Sequence, residues 1–118
     1  MKTNPRRERR ISDEIIVDAY TADERAMGWY YYIEGKLPFP CKMKCIASMP
    51  GSPFAKGEVA EALRLAPEQR CMSGLYVIGH FAGRQVTVPL EQLQPIGDAG
   101  AKKAMDDWHY WVAHGYSY

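Results

Sequence analysis

The stretch TADERAMGWYYYIEGKLPFPCKMKCIA, residues 21–47, contains the signals for a helix, a helix stop and a strand in direct succession. Thr21 followed by Glu24 matches a capping box, in which side chains satisfy the free N–H groups at the start of a helix. A helix is therefore expected to begin at Thr21 and to run to Gly35, after which two prolines prevent its continuation. Residues 41–47 alternate in character, a period-two pattern that predicts a strand.

The segments on either side carry further signals of the same kind. Ser12 has two carboxylates in the following turn, which favours a helix over 12–20, and the apolar spacing near the end favours a last helix over 99–113. The remaining strand-like runs are Glu58–Ala66, Leu75–Phe81, Gln85–Val88 and a short extended piece, Gln94–Ile96. Five short strands with one tight turn before the last are typical of a small barrel. The sequence therefore predicts an α+β fold, a small SH3-like five-stranded β-barrel with two N-terminal helices and one C-terminal helix.

Length and composition restrict the class of protein. The chain has 118 residues, a net charge of +1 and 47% hydrophobic residues, so a single domain is expected over 11–118. Residues 1–10 carry five Lys and Arg against one Glu, which is typical of a flexible basic arm. No apolar run approaches the roughly 20 residues of a membrane span, and no secretory signal is evident. A bacterial, cytoplasmic location without a membrane partner is therefore expected.

The three cysteines do not predict a disulfide or a zinc site. If Cys41 and Cys45 lie on one strand, their Cα atoms are about 13 Å apart at roughly 3.3 Å per residue. A disulfide cannot close beyond roughly 7 Å, and one metal ion could not bridge that distance either. Together with Cys71, they are expected to be reduced, buried thiols. Since no catalytic sequence context surrounds the three histidines and no phosphate-binding loop is present, the protein is not expected to be an enzyme.

Carboxylates are the remaining residues that could form a site. Glu14 and Asp18 are four residues apart on the expected first helix, Glu34 ends the second, and Asp107 lies in the last. Hard cations such as Ca²⁺ take six to eight oxygen ligands, which converging carboxylates and backbone carbonyls can supply. An acidic helix face is more often simply solvated, and no EF-hand loop is present. Composition alone therefore leaves a calcium site and a solvated surface both open.

Three longer segments of the chain carry a resemblance to a known family. Residues 13–47, 83–96 and 106–116 resemble the CcbP family of small bacterial calcium-binding proteins, with distinctive aromatic signatures WYYY at 29–32 and DWHYW at 107–111. The resemblance implies a compact α/β domain that binds Ca²⁺ through surface carboxylates without an EF-hand. It also implies a buffer or sensor, and no catalysis.

The resemblance further implies which carboxylates bind Ca²⁺. The positions that still match acidic family positions are Glu14, Asp18, Glu34, Glu68 and Asp107. Family members are more acidic, and this chain has Gln69-Arg70 and the segment 97–103 where carboxylates would be expected. Each lost carboxylate removes both a ligand and an attractive field, so a dissociation constant on the order of 10⁻⁴ M or weaker is expected.

Two other functions stay open at the level of sequence. One is a protein–protein interaction or inhibitor domain that has lost calcium binding and engages an acidic partner through the basic arm or the basic middle, residues 36–97. The other is a nucleic-acid-binding SH3-like module. The aromatic residues of this chain cluster on the expected helices and do not form a stacking surface on strands. This arrangement disfavours nucleic-acid binding.

Overall fold

The helix and strand signals downstream of Thr21 are realised in the computed structural model, which describes residues 3–50, 52, 54–71 and 74–114. Its helices are α1 (Pro5–Arg10), α2 (Ala22–Lys36) and α3 (Ala99–Ala113). Its strands are β1 (Cys41–Cys45), β2 (Val59–Leu65), β3 (Tyr76–Phe81), β4 (Arg84–Pro89) and β5 (Leu93–Pro95). A π-helical turn, Ile11–Ile15, extends α1, and 3₁₀ turns occupy Glu68–Cys71 and Leu90–Gln92. Within the described residues, every helix falls short of the length and apolarity of a membrane span.

The first helix lies earlier in the chain than the sequence analysis predicted. Asn4 caps α1, its Oδ1 accepting a hydrogen bond from the Arg7 backbone N–H at 3.0 Å, and proline occupies the first helical position. Both are helix-start signals, so much of the segment expected as a basic arm, 1–10, is helical. The expected helix over 12–20 is wrong in its bounds: the helical backbone ends at the π-helical turn, and Asp18 has a left-handed backbone with φ 55°.

The second helix begins where the capping box predicts. The Glu24 backbone N–H donates to Thr21 Oγ1 at 3.1 Å, and α2 ends at Lys36, one residue beyond the expected end. A Cβ at Gly28 would lie 2.5 Å from the carbonyl oxygen of Ile15, so only glycine allows the π-helical turn to approach α2 this closely. This contact fixes the N-terminal segment against α2.

The strands form one antiparallel sheet in the order β4-β3-β2-β1-β5. All five predicted strands are present, but the sheet is not closed, which corrects the expected SH3-like barrel. Within the described residues, β4 and β5 are the two edges and do not pair with each other. The reason is length and chemistry: β5 has three residues, ends in Pro95, and pairs with β1 alone.

An aromatic cluster joins α2 and α3, as the rings in both helices predict. Trp29 is fully buried, and its ring centroid lies 5.1 Å from that of Trp108 and 5.7 Å from that of Trp111. The Trp29–Trp108 contact is edge-to-face, a favoured geometry for aromatic pairs. Since α3 also contacts β5, this cluster connects both long helices to the sheet edge.

Trp108→Ala is expected to lower the free energy of unfolding by about 3–5 kcal/mol, because it removes a buried indole and leaves a cavity beside Trp29. Urea denaturation followed by circular dichroism measures the change. Trp111→Ala is the matched control and should cost clearly less, since Trp111 is only half-buried. Equal costs for the two variants would show that α3 does not pack as described.

Candidate functional site

The five predicted carboxylates do not meet at one point but occupy three separate places. Asp107 is in the core with Glu14 nearby, Asp18 is in an exposed groove, and Glu34 and Glu68 flank a pair of tyrosines. Among the residues that the structure describes, no group of three or more His, Cys, Asp or Glu side chains is arranged to hold a metal ion. Each of the three places therefore holds at most two of the predicted carboxylates.

Asp107 is fully buried and surrounded by hydrogen-bond donors. Arg10 Nη2 donates to Asp107 Oδ1 in a very close contact, and Arg7 Nη1 lies 3.4 Å from the same oxygen. The hydroxyl of Tyr32 donates to Asp107 Oδ2 at 3.0 Å. A buried carboxylate is tolerated only when it is paired in this way, because its hydration has been lost. Both oxygens of Asp107 are therefore already engaged.

The pKa of Tyr32 is affected by the charges of this buried ion pair. Burial is the largest cause that raises the pKa of its hydroxyl, to about 12, and the Asp107 charge and hydrogen bond act in the same direction. Glu14 also raises this pKa, whereas Arg10 lowers it, which places both charges near the ring. Glu14 itself is exposed at the mouth of the adjoining cavity.

Asp18 lies in a groove of mixed character. Asp23 and Glu24 from the start of α2 line the same groove, and Val17 and Met27 supply apolar surface. Asp18 is exposed, and its left-handed backbone sets its direction at the turn between the π-helical segment and α2. The groove is acidic, but its side chains do not converge on one point in the way a metal site requires.

Glu34 and Glu68 come from different elements and both act on one pair of tyrosines, Tyr30 and Tyr31. The Tyr31 hydroxyl donates to Glu68 Oε1 at 2.5 Å, and this hydrogen bond is the largest cause that raises the pKa of Tyr31. Glu34 raises the same pKa through its charge. For Tyr30 the order differs: burial is the largest cause of its raised pKa, followed by Glu34, with Glu68 contributing less. Both carboxylates therefore act on the same two tyrosines.

The position of this pair follows from how α2 is attached to the sheet. The hydroxyl of Tyr30 donates to the backbone carbonyl of Ala66 at 2.9 Å, in a buried hydrogen bond just after β2. This contact fixes the end of α2 beside the 3₁₀ turn that carries Glu68. The two carboxylates are consequently presented by well-packed elements while remaining exposed themselves.

Sequence reasoning missed the partners of Asp107. Arg7 and Arg10 were expected in an arm, but α1 places them three residues apart on one helix face, directed at α3. The signal that could have found them is Asn4 followed by Pro5, a helix start that fixes this spacing. The other face of α1 carries the exposed Arg6 and Arg9.

Arg10→Gln is expected to lower the free energy of unfolding by on the order of 3 kcal/mol, because it leaves the buried Asp107 carboxylate short of its main cation. Arg9→Gln, on the exposed face of α1, is the matched control and should change stability by less than about 0.5 kcal/mol. Chemical denaturation measures both. Similar values for the two variants would contradict the assignment of Arg10 as the structural partner.

Tyr32 is expected to make stability fall at alkaline pH. Because its pKa in the folded state is raised to about 12, its contribution is fully present below the usual value near 10 and is lost as the pH rises toward 12. The difference in unfolding free energy between wild type and Tyr32→Phe should therefore shrink between these values. Tyr20→Phe is the matched control: Tyr20 is 81% exposed, so loss of its hydroxyl should change the free energy of unfolding little.

Comparison with known proteins supplies a family. A family model described as calcium binding, for CcbP, matches residues 9–112. A solved structure described as a calcium binding protein in the calcium-binding form is similar with a TM-score of 0.86 and 35% identity, covering 100% of both chains. The crystal structure of Anabaena CcbP is similar with a TM-score of 0.86 and 36% identity, covering 100% of this chain and 98% of that one. Among curated proteins, none matches. The chain belongs to the CcbP family of calcium-binding proteins.

Proposed function

We propose that this chain is a non-enzymatic Ca²⁺-binding protein of low affinity, and that Glu34 and Glu68 are its principal ligands. The observation that carries the proposal is that α2 and the 3₁₀ turn bring these two exposed carboxylates beside the same tyrosine pair. The family supports the choice of ion, since its model is described as calcium binding and a similar structure is described as being in the calcium-binding form.

The chemistry of the pair suits a hard divalent cation. Two carboxylates can supply up to four oxygens, and the Tyr31 hydroxyl lies next to Glu68 as a further oxygen. Ca²⁺ takes six to eight oxygens at about 2.3–2.6 Å, so water completes the shell at this exposed place. A site with few protein ligands and much water binds weakly, which supports a dissociation constant on the order of 10⁻⁴ M or weaker.

The other predicted carboxylates have smaller roles in this proposal. Asp107 is excluded as a ligand because both of its oxygens are engaged and two arginines neutralise it. Glu14 is disfavoured because Arg10 and basic side chains surround it. Asp18 remains as the acidic member of a separate groove, suited to a second and weaker ion. Filling an exposed site requires no rearrangement of the core, which favours a buffer over a sensor.

Titration with millimolar Ca²⁺ in low salt, followed by calorimetry and by amide shifts in NMR spectra, tests the proposal. The shifts should centre on residues 31–35 and 66–71. Glu68→Gln and Glu34→Gln should each weaken binding about tenfold, since each removes a charged ligand. Glu61→Gln removes the same charge from an exposed position on the sheet and should have much less effect. Absence of heat and shifts in wild type would overturn the proposal.

Tyr31 gives an independent reading of where the ion binds. Its pKa is raised mainly by Glu68, so Ca²⁺ on that carboxylate should lower the pKa of Tyr31 by withdrawing the negative charge. The tyrosinate absorbance of wild type minus that of Tyr31→Phe isolates this hydroxyl. A Tyr31 titration that is insensitive to saturating Ca²⁺ would place the ion elsewhere.

One observation favours the interaction domain as a second candidate function. Lys42 and Lys44 are exposed on β1, opposite Glu61 and Val59 of β2, respectively. The exposed Ile46 and Ile96 border the same strand. Apolar side chains between lysines suit an acidic protein partner. Poly-glutamate is a suitable probe: salt-sensitive shifts in β1, abolished by Lys44→Glu, would support this function, and their absence would reject it.

A further inference from the structure

A cavity of about 170 Å³ lies beside the buried ion pair, between the end of α1, the last turn of α2 and the first turns of α3. Arg10 and Tyr32 line it together with the exposed side chains of Lys36, Lys103 and Glu14. We refer to it as the Arg10 cavity. Its three cationic side chains face a single carboxylate of its own lining, so its charge is opposite to that of a calcium site.

The buried ion pair adds to this imbalance. Asp107 is the carboxylate behind the cavity, and its charge is already matched by Arg7 as well as Arg10. Together with the lining, four cationic side chains therefore stand against two carboxylates. A low-dielectric wall of core residues strengthens the resulting positive potential inside a cleft.

Several donors of the Arg10 cavity lack a protein acceptor. Arg10 Nε is buried and has no hydrogen-bond partner among the described residues. Within the same part of the chain, neither Lys36 nor Lys103 has a carboxylate within salt-bridge distance. Lys36 Nζ instead lies over the Tyr32 ring, 5.9 Å from its centroid, which holds the ammonium at the cavity. The two ammonium groups can therefore contact an anion bound in the cavity.

We propose that the Arg10 cavity binds a small oxyanion of the phosphate class. A tetrahedral oxyanion offers acceptors on all sides, matching the Arg10 guanidinium group in the lining and two ammonium groups at the mouth. Gly100 brings the first turn of α3 to the same cavity. The Asp98 carboxylate already caps this helix, its Oδ1 accepting from the Ala101 backbone N–H at 2.7 Å, so the arginine and the lysines supply the attraction for an anion. This site shares no residue with the Glu34 and Glu68 pair. Anion binding can therefore be tested independently of calcium binding.

Titration with sodium phosphate at about pH 7.5, where phosphate is mostly a dianion, tests this site. Calcium is absent, and sodium chloride holds the ionic strength constant. Saturable amide shifts should centre on residues 10–15, 36 and 100–103. Lys103→Gln and Lys36→Gln should each weaken binding about fivefold, since each removes one charge-assisted contact. Lys102→Gln is the matched control, because Lys102 lies one position away, outside this cavity, and should leave the affinity unchanged.

The Glu14→Gln variant adds a further test, because its effect on phosphate affinity should be opposite to that of the lysine variants. Glu14→Gln removes the one carboxylate of the lining and should strengthen phosphate binding about twofold, whereas the lysine variants weaken it. Parallel titration with glycerol 3-phosphate separates two sources of the same chemistry: tighter binding of the ester assigns a larger phosphorylated molecule, and equal or weaker binding assigns free phosphate. Non-saturating shifts, or equal losses for Lys102→Gln and Lys103→Gln, would overturn the proposal.

Discussion

The carboxylate of Asp107 is the constraint on which the helical part of the structure depends. It is fully buried on α3, and a charge in that position must be paired. Its partners come from two other elements: Arg7 and Arg10 from α1, and Tyr32 from α2. The ion pairs and the hydrogen bond of this one carboxylate therefore connect three helices. The tryptophan cluster packs between two of them, α2 and α3.

The same ion pair supports the proposed location of the metal ion. Two arginines near one carboxylate cancel its attraction for Ca²⁺, and Lys36 and Lys103 extend the positive field to Glu14. Negative charge without such compensation remains at Glu34 and Glu68, on the side of α2 that faces the 3₁₀ turn. The proposed Ca²⁺ ligands and the proposed anion cavity thus lie in surroundings of different charge, although the net charge of the chain is only +1.

Local signals predicted the parts of the fold that local chemistry determines. The capping box of Thr21 and Glu24 predicted the start of α2, and the alternating side chains of residues 41–47 predicted β1. Both signals are local because helix capping and strand pleating act over a few residues. The start of α1 also has a local signal, the capping residue Asn4. The basic composition of residues 1–10 nevertheless led to the prediction of a flexible arm. The open sheet and the contact between Arg10 and Asp107, 97 residues apart, were out of reach because tertiary packing sets them.

A match between acidic positions carries over the residue type, whereas the role of the residue also depends on the groups that contact it. Asp107 matches an acidic position of the family and was predicted as a ligand on that ground, yet its oxygens receive hydrogen bonds from Arg10 and Tyr32. Binding Ca²⁺ there would require displacing two arginines from a buried carboxylate, and breaking a buried ion pair is strongly destabilising. Glu68 differs because its one described partner is a neutral hydroxyl on the surface, which a cation can displace or share. The proposed choice of Glu68 over Asp107 therefore rests on the charge of the groups that already contact each carboxylate.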